Sequence, residues 1–395
     1  MATFLCTPTR VTLGKDAETR LGEELRKDGA KKVLIHYGSE RIVADGLMKE
    51  LTDQLDREGI NYILLGGVKP NPRVSLVRKG IETGRSENID YIVAVGGGSV
   101  IDSAKAIGYG LFDKSGGDVW DFYEGTRKPE GSYPLGVILT LSATGSEMSD
   151  SSVITNEDGG LKRGCNSDYC RPRFALLNPE LTYSVPPYHT SCGTADMMMH
   201  TLERFFHSGS SMELTDKLSI ALLKTIAENG VKALQNPKDY EARKNLMWAS
   251  SLSHNGLMQM GNAQRGDWAC HQMEHELSGM FDVAHGAGLT AIWGTWARYV
   301  FLENPERFAK LGEGVFGLKQ TGNPERDAEN AIKAFENYFR TIHMPISIKE
   351  LGIRATEKQL DELADKAVFY GKRTLGAFKV LKKEDIKAIY TNASR

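Results

Sequence analysis

Short, continuously apolar runs that stop at glycine or at a polar turn dominate the first half of the chain. Residues 32–37 read KVLIHY and halt at Gly38 and Ser39. Residues 62–65 halt at Gly66 and Gly67, and residues 89–95 halt at Gly96, Gly97, Gly98 and Ser99. Residues 135–141 lead into the polar stretch 142–149. Helical periodicity follows three of these runs, over residues 42–58, 74–86 and 100–109, as in the stripe Val43, Leu47, Leu51 and Leu55. Residues 17–28 show the same period after a weakly alternating stretch at 4–13. Strands that alternate with helices in this way build βαβ units. A run such as YIVAV has no polar face, so both of its sides must be covered, as in a parallel sheet. The expectation is an α/β domain with a Rossmann-like parallel sheet. Its ligands should gather at the carboxyl ends of the strands, where the glycines lie.

The second half is of another kind. Residues 150–180 read as short strands and loops, with turns at Pro179, Pro186 and Pro187. From residue 188 onward strand signals fade. Residues 214–235, 240–260, 327–341, 357–370 and 383–391 read as helices, and Gly314 and Gly317 fall in a loop region. The expected division is an α/β dinucleotide-binding domain over residues 1–180 and an all-helical domain over 181–395. A chain of 395 residues suits two or three domains. Its 49 basic residues nearly balance 51 acidic ones, which argues against nucleic-acid or membrane-surface partners. No apolar run reaches transmembrane length, and the start MATFLCTPTR lacks a signal core. Five scattered cysteines are an odd number and fit a reducing cytoplasm better than a disulfide framework.

The loop Gly96-Gly97-Gly98-Ser99 ends a strand and opens a helix. Its backbone N–H groups and the positive end of that helix suit a diphosphate. Asp102 and Lys105 follow within two turns, and Thr140 and Thr144 belong to a second polar loop at the same sheet edge. The pattern is neither a Walker A motif nor G-x-G-x-x-G. Alternatively the glycines only make turns, and Asp102 caps the helix. The third loop, Gly38-Ser39, has no acid immediately after its strand. This leaves room for the 2′-phosphate of NADP, although Glu40 comes next.

Chemistry of a different sort is concentrated in the helical half. Asp196 and His200 are four apart in GTADMMMH, and His271 and His275 are four apart in HQMEH. One helical turn puts such pairs on one face. His285 follows a break expected at residues 279–282. A carboxylate with imidazoles suits a divalent transition metal. Spacing alone leaves open which histidines bind it, or whether they are only surface or core groups. Cys192 and Cys270 read as packed thiols. His36, His189, His207, His254 and His343 show no comparable spacing, although His254 sits where it can line a cleft. Met197, Met198, Met199, Phe206, Met258 and Phe281 are candidates for either core or an apolar substrate pocket.

On these residues the whole chain resembles the iron-containing (group III) alcohol dehydrogenase family. The family's GGGS-x-x-D-x-x-K appears as Gly96, Gly97, Gly98, Ser99, Asp102 and Lys105. Its T-x-x-x-T-G-S-E appears as Thr140, Thr144, Gly145, Ser146 and Glu147. Its D-x-x-x-H appears as Asp196 and His200, and its H-x-x-x-H with the later ligand as His271, His275 and His285. The resemblance implies a dehydroquinate synthase-like fold and an NAD(P)-dependent alcohol dehydrogenase or aldehyde reductase. It implies that Asp196, His200, His271 and His285 bind one divalent ion, Fe²⁺ or Zn²⁺, and that His275 handles protons near the substrate. LSATGSE is similar to the butanol dehydrogenase branch, and Gly38-Ser39 to NADP-using members. The expectation is therefore an NADPH-dependent, butanol dehydrogenase-like enzyme for short-chain alcohols and aldehydes, with NADP(H) preferred over NAD(H), acting as a homodimer. A dehydroquinate-synthase-like or glycerol-dehydrogenase-like metal enzyme, or a non-enzymatic metal-binding protein, is the alternative. A catalytic cleft is expected between the two halves.

Overall fold

The computed structural model describes residues 8–262 and 266–395. Cys6 and the start of the stretch at 4–13 lie outside the described residues. The described chain separates into two compact units, one ending at Ser184 and one running over Val185–Arg395. Among the described residues, no helix is long and apolar enough to cross a membrane.

The first unit is built on a six-stranded sheet in the order β1-β8-β5-β4-β2-β3. Its strands are β1 (Arg10–Leu13), β2 (Lys32–Tyr37), β3 (Asn61–Leu65), β4 (Tyr91–Gly96), β5 (Leu135–Leu139) and β8 (Phe174–Leu177). Every pairing in it is parallel. All residues of β4, β5 and β8 are buried, as their continuous apolar character requires. The helices are α1 (Leu21–Lys27), α2 (Arg41–Ala44), α3 (Leu47–Glu58), α4 (Val74–Ser86), α5 (Gly98–Phe112) and α6 (Trp120–Glu124). Leu21, Leu25, Leu51 and Leu55 pack with Val33, Ile35, Val93 and Val95 in one apolar cluster. The chain winds one way through β2 and β3 and the other way through β4 and β5. In open sheets, ligands bind outside the carboxyl ends at such a reversal.

Two details differ from the sequence reading. Residues 42–58 form two helices with a break at Asp45 and Gly46. An antiparallel hairpin, β6 (Ser151–Asn156) with β7 (Leu161–Asn166), lies outside the main sheet.

One buried group in this unit carries a pH dependence. His36 in β2 is fully buried. Its Nδ1 lies 2.8 Å from the Leu65 carbonyl and its Nε2 lies 2.9 Å from the Ser103 hydroxyl. The carbonyl can only accept, so Nδ1 carries the proton and Nε2 accepts from Ser103. Burial pushes the imidazole pKa down to about 4, against the opposing Leu65 hydrogen bond. An unfolded histidine titrates near ~6.5. Between these values the unfolded chain binds a proton that the folded chain refuses, so stability falls as pH falls. The full loss is about 3 kcal/mol once pH is below both values. Wild type should therefore lose more of its urea-unfolding midpoint than His36→Gln between pH 7 and 4.5. Parallel losses in the two proteins would show that His36 does not contribute.

The second unit contains α7 (Pro187–Phe205), α8 (Glu213–Gln235), α9 (Tyr240–His254), α10 (Ala269–Phe281), α11 (His285–Val300), α12 (Pro305–Phe316), α13 (Pro324–Thr341), α14 (Glu357–Ala367) and α15 (Lys383–Ala393). The helix expected over 240–260 ends at His254, and that over 357–370 ends at Ala367. Gly314 is helical, and only Gly317, the C-cap of α12, lies outside it. From Thr190 to Phe205 every residue of α7 is buried. A helix buried on all sides is a core element, and the ionisable groups on it need partners. Met197, Met198, Met199, Phe206 and Met258 all belong to the core of this unit, with Phe281 packed at its edge.

Candidate active site

Helix α7 brings Asp196 and His200 to one face, α10 brings His271 to the same point, and His285 is the first residue of α11. The start of α10 is fixed by Asp267, which accepts from the N–H groups of Ala269, Ala377 and Phe378 at 3.1, 2.7 and 2.7 Å. The break expected over 279–282 comes only at its last residue: α10 continues to Phe281 and Asp282 has left-handed backbone. Asp196 Oδ1 lies 3.4 Å from His200 Nδ1, 3.8 Å from His271 Nε2 and 3.6 Å from His285 Nε2. Ligands about 2.1 Å from a common tetrahedral ion stand about 3.4 Å apart. Asp196 Oδ1, His200 Nδ1 and His271 Nε2 are buried and have no hydrogen-bond partner among the described residues. Such orphaned polar atoms converging in a protein interior are costly, and a cation between them removes the cost. The residues fit a divalent ion.

The electrostatics agree. Burial opposes protonation of His271, but Asp196 and Glu203 outweigh it and raise its pKa to about 9. His200 moves the opposite way, held well below its ordinary value by burial and then by His254 and His271. The acidic side of this cluster therefore favours positive charge. His285 is the most open of the four, with 24% of its side chain exposed. His275 is buried on α10 beside the cluster, its ring centroid 5.8 Å from that of His285. Glu274, His275 and His285 form a second set whose ligand atoms lie within 4.8 Å of one another.

The His254 ring, which the sequence offers only as a candidate to line a cleft, lies against His200, with centroids 4.0 Å apart. Other neighbours are not singled out by the sequence. Trp268 contacts His271, and the Arg204 guanidinium lies 4.5 Å over the Trp268 ring. Glu203 and Glu274 contact His271 and His285. The available signal for both glutamates was an acid three residues after a ligand histidine, on the same helix. Cys192 and Cys270 are buried free thiols, as their positions off the ligand face indicated.

In the first unit, Gly38-Ser39, Gly96–Ser99 and Thr140–Thr144 follow β2, β4 and β5, three adjacent strands. The Thr140 N–H donates to the Gly96 carbonyl at 3.1 Å. A Cβ at Gly98 would lie 2.3 Å from Thr144 Cγ2, so glycine there lets the second loop close on the first. The N–H groups of Val100 and Ile101 donate to the Gly97 carbonyl at 3.0 and 3.2 Å, so those of Gly98 and Ser99 are the first-turn donors that helix geometry leaves without an intrahelical acceptor. Asp102 ties the loops together: it accepts from the Ser146 hydroxyl at 2.6 Å and from the Val153 N–H at 3.0 Å. Lys105 corrects the expectation of a cofactor contact. It is fully buried, and its Nζ donates to the carbonyls of Ser146, Ser149 and Ser151 at 2.7, 3.0 and 2.7 Å. With its donors committed to these oxygens, it braces the loop from below and has none left for a phosphate.

A glycine loop on a parallel sheet and a buried Asp/His cluster on helices are the equipment of a metal-dependent, nicotinamide-linked oxidoreductase. The family profiles identify it further. The iron-containing alcohol dehydrogenase profile matches residues 8–179. That of the Fe-containing alcohol dehydrogenase family, C-terminal, matches residues 190–394. The chain belongs to the iron-containing alcohol dehydrogenase family and is an NAD(P)-dependent alcohol dehydrogenase or aldehyde reductase. The probable NADH-dependent butanol dehydrogenase 1 of Bacillus subtilis is 39% identical over 97% of both chains. The crystal structure of NADH-dependent butanol dehydrogenase A from Thermotoga maritima superimposes with a TM-score of 0.94 at 35% identity, covering 100% of this chain and 99% of that one. The NADPH-dependent aldehyde reductase YqhD of Escherichia coli is 32% identical over 91% of this chain and 92% of its own.

These relatives overturn two expectations, the NADPH-dependent branch and the preference of NADP(H) over NAD(H). The greater similarity is to proteins named for NADH. The Gly38-Ser39 loop carries an acid one residue further on. Glu40 opens α2, and its Oε1 accepts from the Tyr37 hydroxyl at 3.3 Å.

Proposed function

We propose that this chain interconverts short-chain primary alcohols and aldehydes of the butanol and butyraldehyde type, using NAD(H) and one divalent ion, Fe²⁺ or Zn²⁺, held by Asp196, His200, His271 and His285. The observation that carries this reading is the convergence of Asp196 Oδ1, His200 Nδ1 and His271 Nε2, all buried and otherwise unpartnered. An ion there supplies Lewis-acid polarisation of the substrate oxygen, and the nicotinamide supplies the hydride chemistry. The rest falls to the protein. The Gly97–Ser99 backbone at the start of α5 holds the diphosphate, as helix N-termini do. Thr140 and Thr144 flank the nicotinamide side. Asp102 and Lys105 keep the two loops in register. His275 exchanges a proton between the substrate oxygen and solvent, a task that suits an imidazole.

Glu40 supports the NAD(H) assignment. A carboxylate near the end of β2 accepts from the adenosine ribose hydroxyls and repels a 2′-phosphate. With butyraldehyde as substrate, kcat/KM should favour NADH over NADPH by roughly tenfold or more, a difference of about 1.4 kcal/mol. Glu40→Gln should narrow that ratio. Oxidation of NADH followed at ~340 nm tests both statements. Equal use of the two cofactors by the wild type would reject the assignment. The absence of butyraldehyde turnover with either cofactor would reject the substrate class.

A further inference from the structure

The two glutamates beside the cluster form a pattern that the ligand set does not explain. Glu203 is 2% exposed and Glu274 is fully buried. One Glu203 oxygen, Oε1, accepts from the His271 backbone N–H at 2.9 Å and faces His271 Nδ1 at 3.0 Å. Glu274 is pinned at both oxygens, Oε1 by the Ser278 hydroxyl and Oε2 by His285 Nδ1. Its slot is shaped from the far side as well. A Cβ at Gly288 would lie 2.9 Å from Glu274 Cγ and 3.0 Å from Oε1. Any larger residue on α11 at that point displaces the carboxylate.

The connectivity follows a rule. Glu203 stands on α7, three residues after His200, and braces His271 on α10. Glu274 stands on α10, three residues after His271, and braces His285 on α11. Two of the three helices, α7 and α10, thus supply the carboxylate that orients the histidine on the next one. A carboxylate accepts, so in the neutral ring each contact favours the proton on Nδ1 and leaves the lone pair on Nε2. Nε2 is the nitrogen that both rings turn toward Asp196. The bond also makes the imidazole a stronger electron donor. His200 is arranged differently, presenting Nδ1 to Asp196 and lying against His254.

We propose that Glu203 and Glu274 are positioning residues for the metal centre, each fixing the tautomer and ring orientation of a ligand histidine on the neighbouring helix. This rests on the reading of His271 and His285 as ligands. The test uses full-length protein stripped by a chelator and titrated with Co²⁺ or Zn²⁺ alone against a chromophoric competitor, with visible spectra of the Co²⁺ form. Glu203→Gln and Glu274→Gln keep the shape but remove the charge. Each should weaken metal affinity by roughly 10- to 100-fold and alter the Co²⁺ bands. Ser278→Ala, which frees one Glu274 oxygen and is the smaller perturbation of the fold, should change the same bands in the same direction. Wild-type affinity and spectrum in both Gln variants would overturn the proposal, as would a lowered unfolding temperature with an unchanged spectrum. A His271→Ala control separates the two levels. If it loses metal while the Gln variants bind normally, the bracing role fails alone. If it binds normally, the ligand reading fails.

Discussion

Purified His271→Ala should contain almost no divalent metal and turn over butyraldehyde on the order of 10³-fold or more slower than the wild type, since an ion's stabilisation of the reacting oxygen is worth several kcal/mol. Two effects add. The variant removes one of the nitrogens facing Asp196 Oδ1, at 3.8 Å. It also deprives Glu203 Oε1 of the Nδ1 contact at 3.0 Å, leaving a buried carboxylate with only the backbone N–H of residue 271 on that oxygen. A buried charge that loses its partner costs several kcal/mol, so the variant should also unfold earlier than the wild type. Elemental analysis of freshly purified protein, beside a circular dichroism spectrum, separates these consequences. A folded variant with the metal content of the wild type would remove His271 from the ligand set.

The parts of this molecule that could be read from the chain are those encoded by local period and spacing. The buried strands announced themselves because YIVAV and LGVIL have no polar face, and β4 and β5 are indeed covered on both sides. Residues four apart share a helix face, so spacing alone pairs Asp196 with His200, and the structure places Asp196 Oδ1 3.4 Å from His200 Nδ1. What escaped depends on pairing between distant elements. Lys105 looks like a phosphate ligand because it follows a glycine loop. Only the return of residues 146–151 beneath α5 shows that its ammonium is already surrounded by carbonyls. Glu203 and His271 are 68 positions apart, and the acid's place three residues after His200 does not say which histidine it meets. Glu40 stands one position beyond Gly38-Ser39 as the N-cap of the four-residue helix α2, and position along the chain does not say which way its carboxylate turns.

His275→Ala should retain its metal and lose turnover by about 10²- to 10⁴-fold, the usual worth of a positioned general acid or base. The argument is geometric. His275 lies one turn beyond His271 on α10, so it shares the ligand face. Yet the set that closes around Asp196 contains His200 and His271, and His275 falls instead in the neighbouring set with Glu274 and His285. Its ring is 5.8 Å from that of His285, next to a proposed ligand and not in its place. A group so placed can move a proton to or from the substrate oxygen without itself holding the ion. Loss of the imidazole should therefore flatten the neutral-pH limb of the kcat profile while metal stoichiometry stays at the wild-type value. The same experiment chooses between the two sets of side chains. If His275→Ala releases the metal, the ion belongs with Glu274, His275 and His285, and the assignment around Asp196 is wrong. If the metal stays and activity is unchanged across the pH range, the proton passes by another route.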